Sequence, residues 1–466
     1  MAFSVLVTHL TSLACLLRLS PCGLSLTPLI RNGHIQTAQQ HSLLEILGVQ
    51  SYKGYLTVDE QYESNMFFWF FPAENKPDAP LLLWLNGGPA LPSTYGALLE
   101  NGPLALNEQG MLERRSVSWT ESFHMLYIDN PVGVGYSSTN NPNGYSRNMD
   151  DTSKNLYSAL VQFFQLFPQY AKNEFYAGGQ SYACKYVAPL GRYIHDRNND
   201  PQRKVSINFK GVYIGGGYCD PIHMMPAFYD FMFNTGVITD SQRRRSREES
   251  ERFIKMSLSG EHQPSISQSI RAVLRFEGDI DSYNLLKTTK TSKDLYKMLL
   301  NYLQSGTTKM LFGAIGRSVG DERVVRDHLA ADFLSDTVSH HNFLIDNYKV
   351  LHYTGNLDPV VSVPMTEAFL LRLNWRQDFD YINGIYNGTS SCASDQYCRA
   401  DRSEWLVNNK LAGWYTTTRS PSLTRVIVRN AGHNVPTDQP ERALAMMKRF
   451  VAGQFEFNSH VEGGVH

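Results

Sequence analysis

A short segment in which an apolar strand turns into a helix is the strongest constraint on the fold of this sequence. Phe175-Tyr176-Ala177-Gly178 leads into Gly179-Gln180-Ser181-Tyr182-Ala183 and then into a helical pattern. A serine between small residues at such a junction is typical of a nucleophile elbow, where the backbone crosses closely and leaves no room for large neighbours. The turn exposes the serine hydroxyl at the edge of the sheet, next to an amide at the helix N-terminus. One such segment is a weak signal, so other features of the sequence must support it.

The composition is that of a globular protein. The chain has 466 residues, of which 42% are hydrophobic and 19% are charged, and its formal net charge is −1. A chain of this length can form one large core with an insertion. The balanced charge indicates no surface for nucleic acid, so nucleic acid is not expected as a partner.

Residues 1–22 are predicted to be a signal peptide. They are mainly apolar from Met1 to Leu17, and Arg18 ends the apolar run. The run is too short and too interrupted to span a bilayer. No other stretch is apolar enough to do so, and stable membrane insertion is therefore not expected. The basic residues that usually precede such a run are missing, which leaves a disordered leader as the alternative.

Four of the six cysteines would remain after removal of the signal peptide. Cys392 and Cys398 flank a short polar loop and could form a disulfide, as export would permit. The sequence leaves the pairing of Cys184 and Cys219 open. Asn387-Gly388-Thr389 is a glycosylation sequon, which favours a surface position in a secreted protein.

Apolar runs that alternate with helical patterns predict a mostly parallel α/β sheet. Residues 51–58 and 65–71 are predicted to form an antiparallel hairpin before it. The predicted parallel strands are residues 80–85, 124–129, 175–178, 209–214, 348–353 and 423–428. Gly133-Val134-Gly135 lacks the third glycine of a dinucleotide loop and predicts a tight crossing instead of a cofactor site.

The pattern changes in the middle of the chain, and this change predicts the domain organisation. Residues 23–217 and 343–466 are predicted to form the two parts of an α/β core. Residues 218–342 contain polar stretches with helical spacing and are predicted to be a mainly helical lid over the upper edge of the sheet. The basic stretch at 242–249 favours a solvated helix face, and a site of proteolytic processing is the alternative.

Three residue types that act together in hydrolases each follow a predicted parallel strand. Ser181, Asp358 and His433 occur in the chain order of the α/β-hydrolase fold, and the carboxyl ends of parallel strands meet at one edge of the sheet. His433 would take the Ser181 proton, and Asp358 would orient the imidazole and stabilise its cation. The α/β-hydrolase fold is therefore predicted. No spacing of His or Cys indicates a metal site, and no cofactor is expected.

Four motifs around these residues resemble those of the serine carboxypeptidases. The motifs are Trp84-Leu85-Asn86-Gly87-Gly88-Pro89, Asp129-Asn130-Pro131-Val132-Gly133-Val134-Gly135-Tyr136-Ser137, Gly179-Gln180-Ser181-Tyr182-Ala183 and Ala431-Gly432-His433-Asn434-Val435-Pro436-Thr437-Asp438-Gln439-Pro440. Three further segments resemble the vitellogenic carboxypeptidase-like branch in particular: Phe67-Phe68-Trp69-Phe70-Phe71-Pro72, the segment from Pro80-Leu81 onward, and Gly355-Asn356-Leu357-Asp358.

The resemblance implies an exopeptidase that removes residues from peptide and protein C-termini in lysosomes or secretions. It implies that Ser181 is the nucleophile, with Asp358 and His433 as its partners. It also implies that backbone amides of Gly88 and Tyr182 form the oxyanion hole. The substrate carboxylate would be held by Trp84, Asn86, Gly87, Glu100 and the position of Gln180. The oligomeric state is left open between monomer and homodimer.

The sequence departs from the family pattern at three places. Gln180 replaces a glutamate, Cys184 replaces a glycine, and Ala90-Leu91-Pro92 follows Pro89 where the family has a glycine and then small residues. These changes are expected to strain the elbow helix and the loop that presents Gly88. Two alternative functions therefore stand beside an active carboxypeptidase: an impaired relative that serves as a binding, storage or protective protein, and an acyltransferase on the same scaffold.

Overall fold

The computed structural model describes residues 25–259, 280–288, 290–314, 319–374, 402–418 and 423–455. The strands in these ranges are β1 (Leu43–Ile46), β2 (Val49–Asp59), β3 (Ser64–Phe71), β4 (Leu81–Leu85), β5 (Leu104–Leu106), β6 (Leu112–Arg114), β7 (His124–Ile128), β8 (Phe175–Gln180), β9 (Phe209–Gly215), β10 (Ile280–Asp281), β11 (Asn284–Thr288), β12 (Lys349–Gly355), β13 (Ser403–Val407), β14 (Lys410–Thr417) and β15 (Leu423–Val428).

Eleven of these strands form one sheet in the order β1-β2-β3-β7-β4-β8-β9-β12-β15-β14-β13. The central strands β7, β4, β8, β9, β12 and β15 run parallel. The strands on both sides of this centre pair antiparallel. Two small hairpins, β5–β6 and β10–β11, lie outside the sheet. The predicted α/β-hydrolase fold is confirmed.

The edges of the sheet show where the prediction was incomplete. The hairpin predicted from residues 51–58 and 65–71 is present as β2 and β3, with Tyr55 opposite Phe67. The sheet is parallel only in its centre, and β1, β13 and β14 were not predicted. The edge strands β1 and β13 expose some of their side chains to solvent, so their apolar residues do not form continuous runs. In β13, for example, Glu404 and Leu406 are exposed.

The apolar runs of the central strands arise because helices cover both faces of the sheet. In β4, Leu81, Leu83 and Leu85 belong to one core cluster, and Leu82 and Trp84 belong to a second cluster on the opposite face. A strand buried on both sides reads as a continuous apolar run and not as an alternation. This burial fixes the register of the strands and so the positions of the loops at their ends.

The α-helices have the following bounds: Thr27–Arg31, Ile35–Ser42, Met149–Leu166, Cys184–Asn198, Pro221–Asn234, Asp240–Leu258, Lys290–Gln304, Gly306–Leu311, Glu322–His328, Val338–Asn347, Val363–Leu370, Val435–Asp438 and Pro440–Val451. The helix Met149–Leu166 illustrates how the sequence sets them. The side chain of Asn148 accepts the amide of Asp151, and two aspartates favour the positive end of the helix dipole.

Residues 218–342, the predicted lid, contain mainly helices in their described part, together with the hairpin β10–β11. The helix Val338–Asn347 crosses the predicted boundary at 342 and packs on β12 and on the helix Cys184–Asn198. The basic stretch 242–249 lies within the helix Asp240–Leu258, where Arg243 forms ion pairs with Asp230 and Asp240. The domain boundaries themselves stay a prediction.

A disulfide gives Cys184 the partner that the sequence left open. The residue is bonded to Cys219, with the two Cα atoms 5.4 Å apart. The bond joins the elbow helix to the segment after β9. His341 Nε2 lies 3.9 Å from the Cys184 sulfur, but because the two sulfurs are bonded to each other they offer no thiolate to a metal.

Three sequence predictions lie outside the described residues: the signal peptide at 1–22, the glycosylation site at Asn387 and the disulfide between Cys392 and Cys398. Within the described ranges, none of the helices combines the length and apolar character needed to cross a membrane.

Candidate active site

Ser181 lies at a strained turn between β8 and the following helix. Its φ angle is +64°, a left-handed conformation that is costly for any residue with a Cβ. The neighbouring glycine is required by space, because a Cβ on Gly179 would lie 2.3 Å from the Leu85 carbonyl oxygen and 2.8 Å from the Ala183 Cβ. The small residues of the motif therefore permit the close crossing that the sequence predicted.

The acid and the histidine of the predicted triad are in direct contact. His433 Nδ1 lies 2.8 Å from Asp358 Oδ2, and both side chains are buried. The second carboxylate oxygen of Asp358 accepts the backbone amides of Val360 and Val361. With both oxygens held, the carboxylate can fix only one orientation of the imidazole. This pair joins the ends of β12 and β15, which are neighbours in the sheet.

The loop after β9 connects this pair to the serine. The amide of Tyr218 donates to the carbonyl of Ser181 at 3.0 Å. Gly216 has a φ of +47°, and a Cβ at this position would lie 2.9 Å from Asp358 Oδ2 and 3.0 Å from His433 Nδ1. Since β8, β9, β12 and β15 are consecutive in the sheet and run parallel, the three predicted catalytic residues follow strands that end at the same edge.

The glycine loop after β4 lies against the elbow. A Cβ on Gly87 would lie 2.5 Å from the Tyr182 amide nitrogen and 2.9 Å from the Ser181 Cβ. The carbonyl of Gly87 accepts the amide of Leu91 at 3.0 Å. That carbonyl belongs to the same peptide unit as the Gly88 N–H, so the hydrogen bond fixes the direction of a predicted oxyanion donor.

Ala90 explains why the family pattern has a glycine in this loop. Its φ angle is +79°, and its side chain is buried. A left-handed conformation costs an alanine about 1–2 kcal/mol, whereas a glycine adopts it freely. The strain predicted for this loop is therefore located at Ala90.

Asn86 is the centre of the predicted carboxylate-binding group. Its Oδ1 accepts the Trp84 indole N–H at 2.8 Å and the Gly96 amide at 3.0 Å, and its Nδ2 donates to Glu100 Oε1 at 2.8 Å. Trp84 is completely buried and acts on this group through Asn86. Burial raises the pKa of Glu100 to about 7, against the opposing effect of the Asn86 hydrogen bond. Glu100 is therefore neutral in mild acid.

Gln180 belongs to a hydrogen-bonded chain that includes two residues the sequence did not single out. Its Nε2 donates to Asn434 Oδ1 at 2.6 Å, and Asn434 Nδ2 donates to the Tyr95 hydroxyl at 2.8 Å. Within the described part of the protein, Gln180 Oε1 and Glu100 Oε2 are buried and have no hydrogen-bond partner. Asn434 directly follows His433, and that adjacency was the available signal.

The hairpin β10–β11 holds the histidine loop in a way that the sequence did not predict. The His433 amide donates to the Tyr283 carbonyl at 2.6 Å, and the two rings are 5.4 Å apart. Asp438 accepts hydrogen bonds from Asn284 at 2.8 Å and from the Gly432 amide at 2.7 Å. About 150 residues separate the two segments in the chain, so no local pattern could have paired them.

The sequence is similar to known proteins over almost its whole length. Residues 42–453 match the model of the family described as serine carboxypeptidase. The chain is 34% identical to the human protein named "Probable serine carboxypeptidase CPVL", with 92% of this chain and 90% of that protein covered. It is 36% identical to the venom serine carboxypeptidase of Apis mellifera, with 92% and 90% covered. It is 32% identical to the vitellogenic carboxypeptidase of Aedes aegypti, with 92% and 89% covered.

The fold is also similar to that of a solved carboxypeptidase. Kex1(delta)p, a prohormone-processing carboxypeptidase from Saccharomyces cerevisiae, superimposes with a TM-score of 0.74 at 20% identity, and the match covers 89% of this chain and 96% of that structure. At this identity the superposition supports the fold, while the family model and the more similar relatives support the classification. The chain therefore belongs to the serine carboxypeptidase family.

Proposed function

We propose that this protein is an active serine carboxypeptidase that releases the C-terminal residue of peptides and proteins through an acyl-enzyme on Ser181. The observation that carries the proposal is the contact between His433 Nδ1 and Asp358 Oδ2, at the same sheet edge where Ser181 follows β8 with a φ of +64°. A nucleophile, a base and an orienting acid at one sheet edge are the parts that acyl transfer needs.

In the proposed mechanism His433 removes the Ser181 proton while the hydroxyl oxygen attacks the carbonyl of the C-terminal peptide bond. The amides of Gly88 and Tyr182 donate to the oxyanion that forms. His433 then gives the proton to the leaving amine, and the C-terminal amino acid departs. Water, activated by the same histidine, hydrolyses the ester and restores Ser181.

Selection for a C-terminus would come from the buried polar group next to the serine. Asn86 and Gln180 would each donate the second hydrogen of the side-chain amide to the substrate carboxylate, and Gly87 would donate its backbone N–H, with Trp84 orienting Asn86. Glu100 can donate only while it is protonated, and burial, which raises its pKa to about 7, keeps it protonated in mild acid. A carboxylate substrate therefore fits this group best below neutral pH.

The two alternative functions can be separated from the proposal by two assays on the same protein. A fluorophosphonate probe should label Ser181, and a blocked dipeptide should release its C-terminal amino acid. Absence of labelling would favour the binding, storage or protective protein. Labelling without peptide cleavage would favour the acyltransferase. The intact Asp358–His433 contact supports the enzyme, and the strain at Ala90 is the feature that favours an impaired relative.

We also propose that the protein acts in the secretory pathway, in secretions or in lysosomes. The Cys184–Cys219 disulfide supports an oxidising compartment, and the acid preference expected from Glu100 suits a lysosome. Peptide and protein C-termini are the proposed partners. A homodimer stays a proposal that sedimentation of the purified protein would test.

The replacement of the family glutamate by Gln180 is expected to weaken the pH dependence of substrate binding. Among the residues assigned to the substrate carboxylate, Glu100 is the one with a carboxyl group in wild type, so KM should rise as pH rises through about 7. The variant Gln180→Glu adds a second carboxyl group, which would face Asn434 Oδ1 and bind substrate only when protonated. Its KM should therefore rise more steeply between about pH 5 and pH 7, to about tenfold above wild type at neutral pH.

The measurement is KM against pH for a blocked dipeptide in both proteins. The matched control is Glu100→Gln, which should make KM much less dependent on pH because it removes the carboxyl group from the residues assigned to the substrate carboxylate. Parallel curves for wild type and Gln180→Glu would show that residue 180 does not contact the substrate carboxylate.

Relief of the strain at Ala90 is expected to raise turnover. A glycine adopts a φ of +79° freely, so Ala90→Gly, alone and together with Pro92→Ser, should improve the fit of the oxyanion donors to the transition state. We expect kcat to rise by about two- to fivefold with little change in KM. Steady-state kinetics on the blocked dipeptide would measure this, and unchanged kcat would show that the loop tolerates the alanine.

A further inference from the structure

We propose that Arg326 is a positioning residue for the loop after β4, which contains Gly88 and the strained Ala90. Arg326 would hold this loop in its active conformation. The proposal rests on the proposed function, and it concerns a residue from the middle of the chain, more than 230 positions from the loop that it contacts. Arg326 Nε donates to the carbonyl of Pro89 at 3.1 Å. Pro89 lies between Gly88 and Ala90, the predicted oxyanion donor and the residue with a φ of +79°.

Arg326 is held so that its hydrogen bond has a fixed direction. Its Nη2 donates to Glu322 Oε2 at 2.7 Å, one turn earlier in the helix Glu322–His328. Val325 on the same helix is buried beside Gly133 and the Tyr145 ring, and the His328 ring stacks on Tyr145 at 4.7 Å. Arg326 therefore belongs to a helix that is packed against the rest of the protein, and this packing limits the movement of its guanidinium.

The contact acts on the loop at the point where strain would otherwise move it. An alanine at a φ of +79° gains free energy by rotating to a negative φ. That rotation would turn the Pro89–Ala90 peptide unit and move the Pro89 carbonyl away from Arg326. The hydrogen bond from the charged guanidinium stabilises the carbonyl in its present position. Leu91 would move with this peptide unit, and the hydrogen bond from its amide to the Gly87 carbonyl would break. The Gly88 N–H, which belongs to the same peptide unit as that carbonyl, would then no longer point in a fixed direction. Arg326 opposes this movement.

This arrangement separates a positioning role from a substrate-binding or purely structural role. A loop that is displaced weakens the interaction with the oxyanion, which exists only in the transition state, so kcat falls while KM stays constant. Substitution of Ala90 by glycine removes the driving force for displacement. The contribution of Arg326 should then become smaller, which is a coupling that a purely structural role would not produce.

The test uses the full-length enzyme and measures kcat and KM on the blocked dipeptide, the second-order rate of fluorophosphonate labelling, and the thermal midpoint. We expect Arg326→Ala to lower kcat and the labelling rate by about tenfold, less than complete loss of an oxyanion donor, with KM within about twofold. Arg326→Lys keeps a cationic donor and should recover most of the loss. Arg323→Ala, on the same helix but exposed, is the matched control and should behave as wild type.

The decisive comparison is the double variant Ala90→Gly with Arg326→Ala. Relative to Ala90→Gly alone, its kcat should fall by less than about threefold. An equal fall in both backgrounds, or an unchanged kcat in Arg326→Ala, would overturn the proposal. A rise in KM at constant kcat would assign Arg326 to substrate binding and overturn it as well. If wild type is labelled but does not cleave peptide, the proposed function fails while the labelling rates still decide the role of Arg326; if wild type is not labelled, both fail.

Discussion

Ser181→Ala is expected to abolish both fluorophosphonate labelling and peptide cleavage. Without the hydroxyl no acyl-enzyme can form, and loss of the nucleophile in a serine protease lowers kcat by a factor on the order of 10⁶. The alanine keeps a Cβ at the strained position, where φ is +64°, so the fold should change little. Labelling and steady-state cleavage, each with a detection limit below about one thousandth of the wild-type rate, are the measurements.

A thermal melt is the control for Ser181→Ala, because the variant must be folded for the result to count. Substrate affinity supplies a second control, since the polar group around Asn86 is untouched and a blocked dipeptide should still bind. Cleavage near the wild-type rate by a folded variant would show that a different residue is the nucleophile, and the proposed mechanism would be wrong.

Asp358→Asn is expected to lower kcat by about 10⁴ while the protein stays folded. The physical reason is the fixed surroundings of the side chain. The backbone amides of Val360 and Val361 require an acceptor, so the new amide oxygen should face them. The amide nitrogen then faces His433 Nδ1 and donates to it, which places the imidazole proton on Nε2, where the serine proton must be received.

The kcat of Asp358→Asn on the blocked dipeptide measures this effect. The matched comparison is Asp358→Ala, which removes the orienting group without imposing the wrong tautomer and leaves the two amides without an acceptor. Asp358→Ala should therefore lose thermal stability that Asp358→Asn retains. A kcat within about tenfold of wild type in Asp358→Asn would show that this carboxylate does not orient the base.

The sequence predicted the elements of the site that depend on local patterns. Each apolar run that was predicted as a central strand is one, because strands buried on both faces need continuous apolar residues. The motifs around Ser181, Asp358 and His433 were recognisable because each follows such a strand directly. Gly179 could be interpreted as a steric requirement from the elbow pattern alone, and the structure places its Cβ position 2.3 Å from the Leu85 carbonyl oxygen.

The edges and the connections were less predictable. The strand β13 lies at the sheet edge and β14 lies between it and β15, and both were missed. The pairing of Cys184 was left open because a single sequence does not specify which cysteines meet, and its bond to Cys219 became visible only when the elbow helix and the segment after β9 were placed side by side.

By itself, then, the sequence determined the parallel centre of the sheet, the strained elbow and the residues that follow its strands, since continuous apolar runs and helical periods of three to four residues report burial within one element. Only the tertiary structure decided how these residues are supported. Three contacts each join segments more than about 100 residues apart: the hydrogen bond from Arg326 to Pro89, the hydrogen bond from Gln180 to Asn434, and the hydrogen bond from the His433 amide to the β10–β11 hairpin. Such contacts depend on how the whole chain packs, and no local pattern of side chains encodes them.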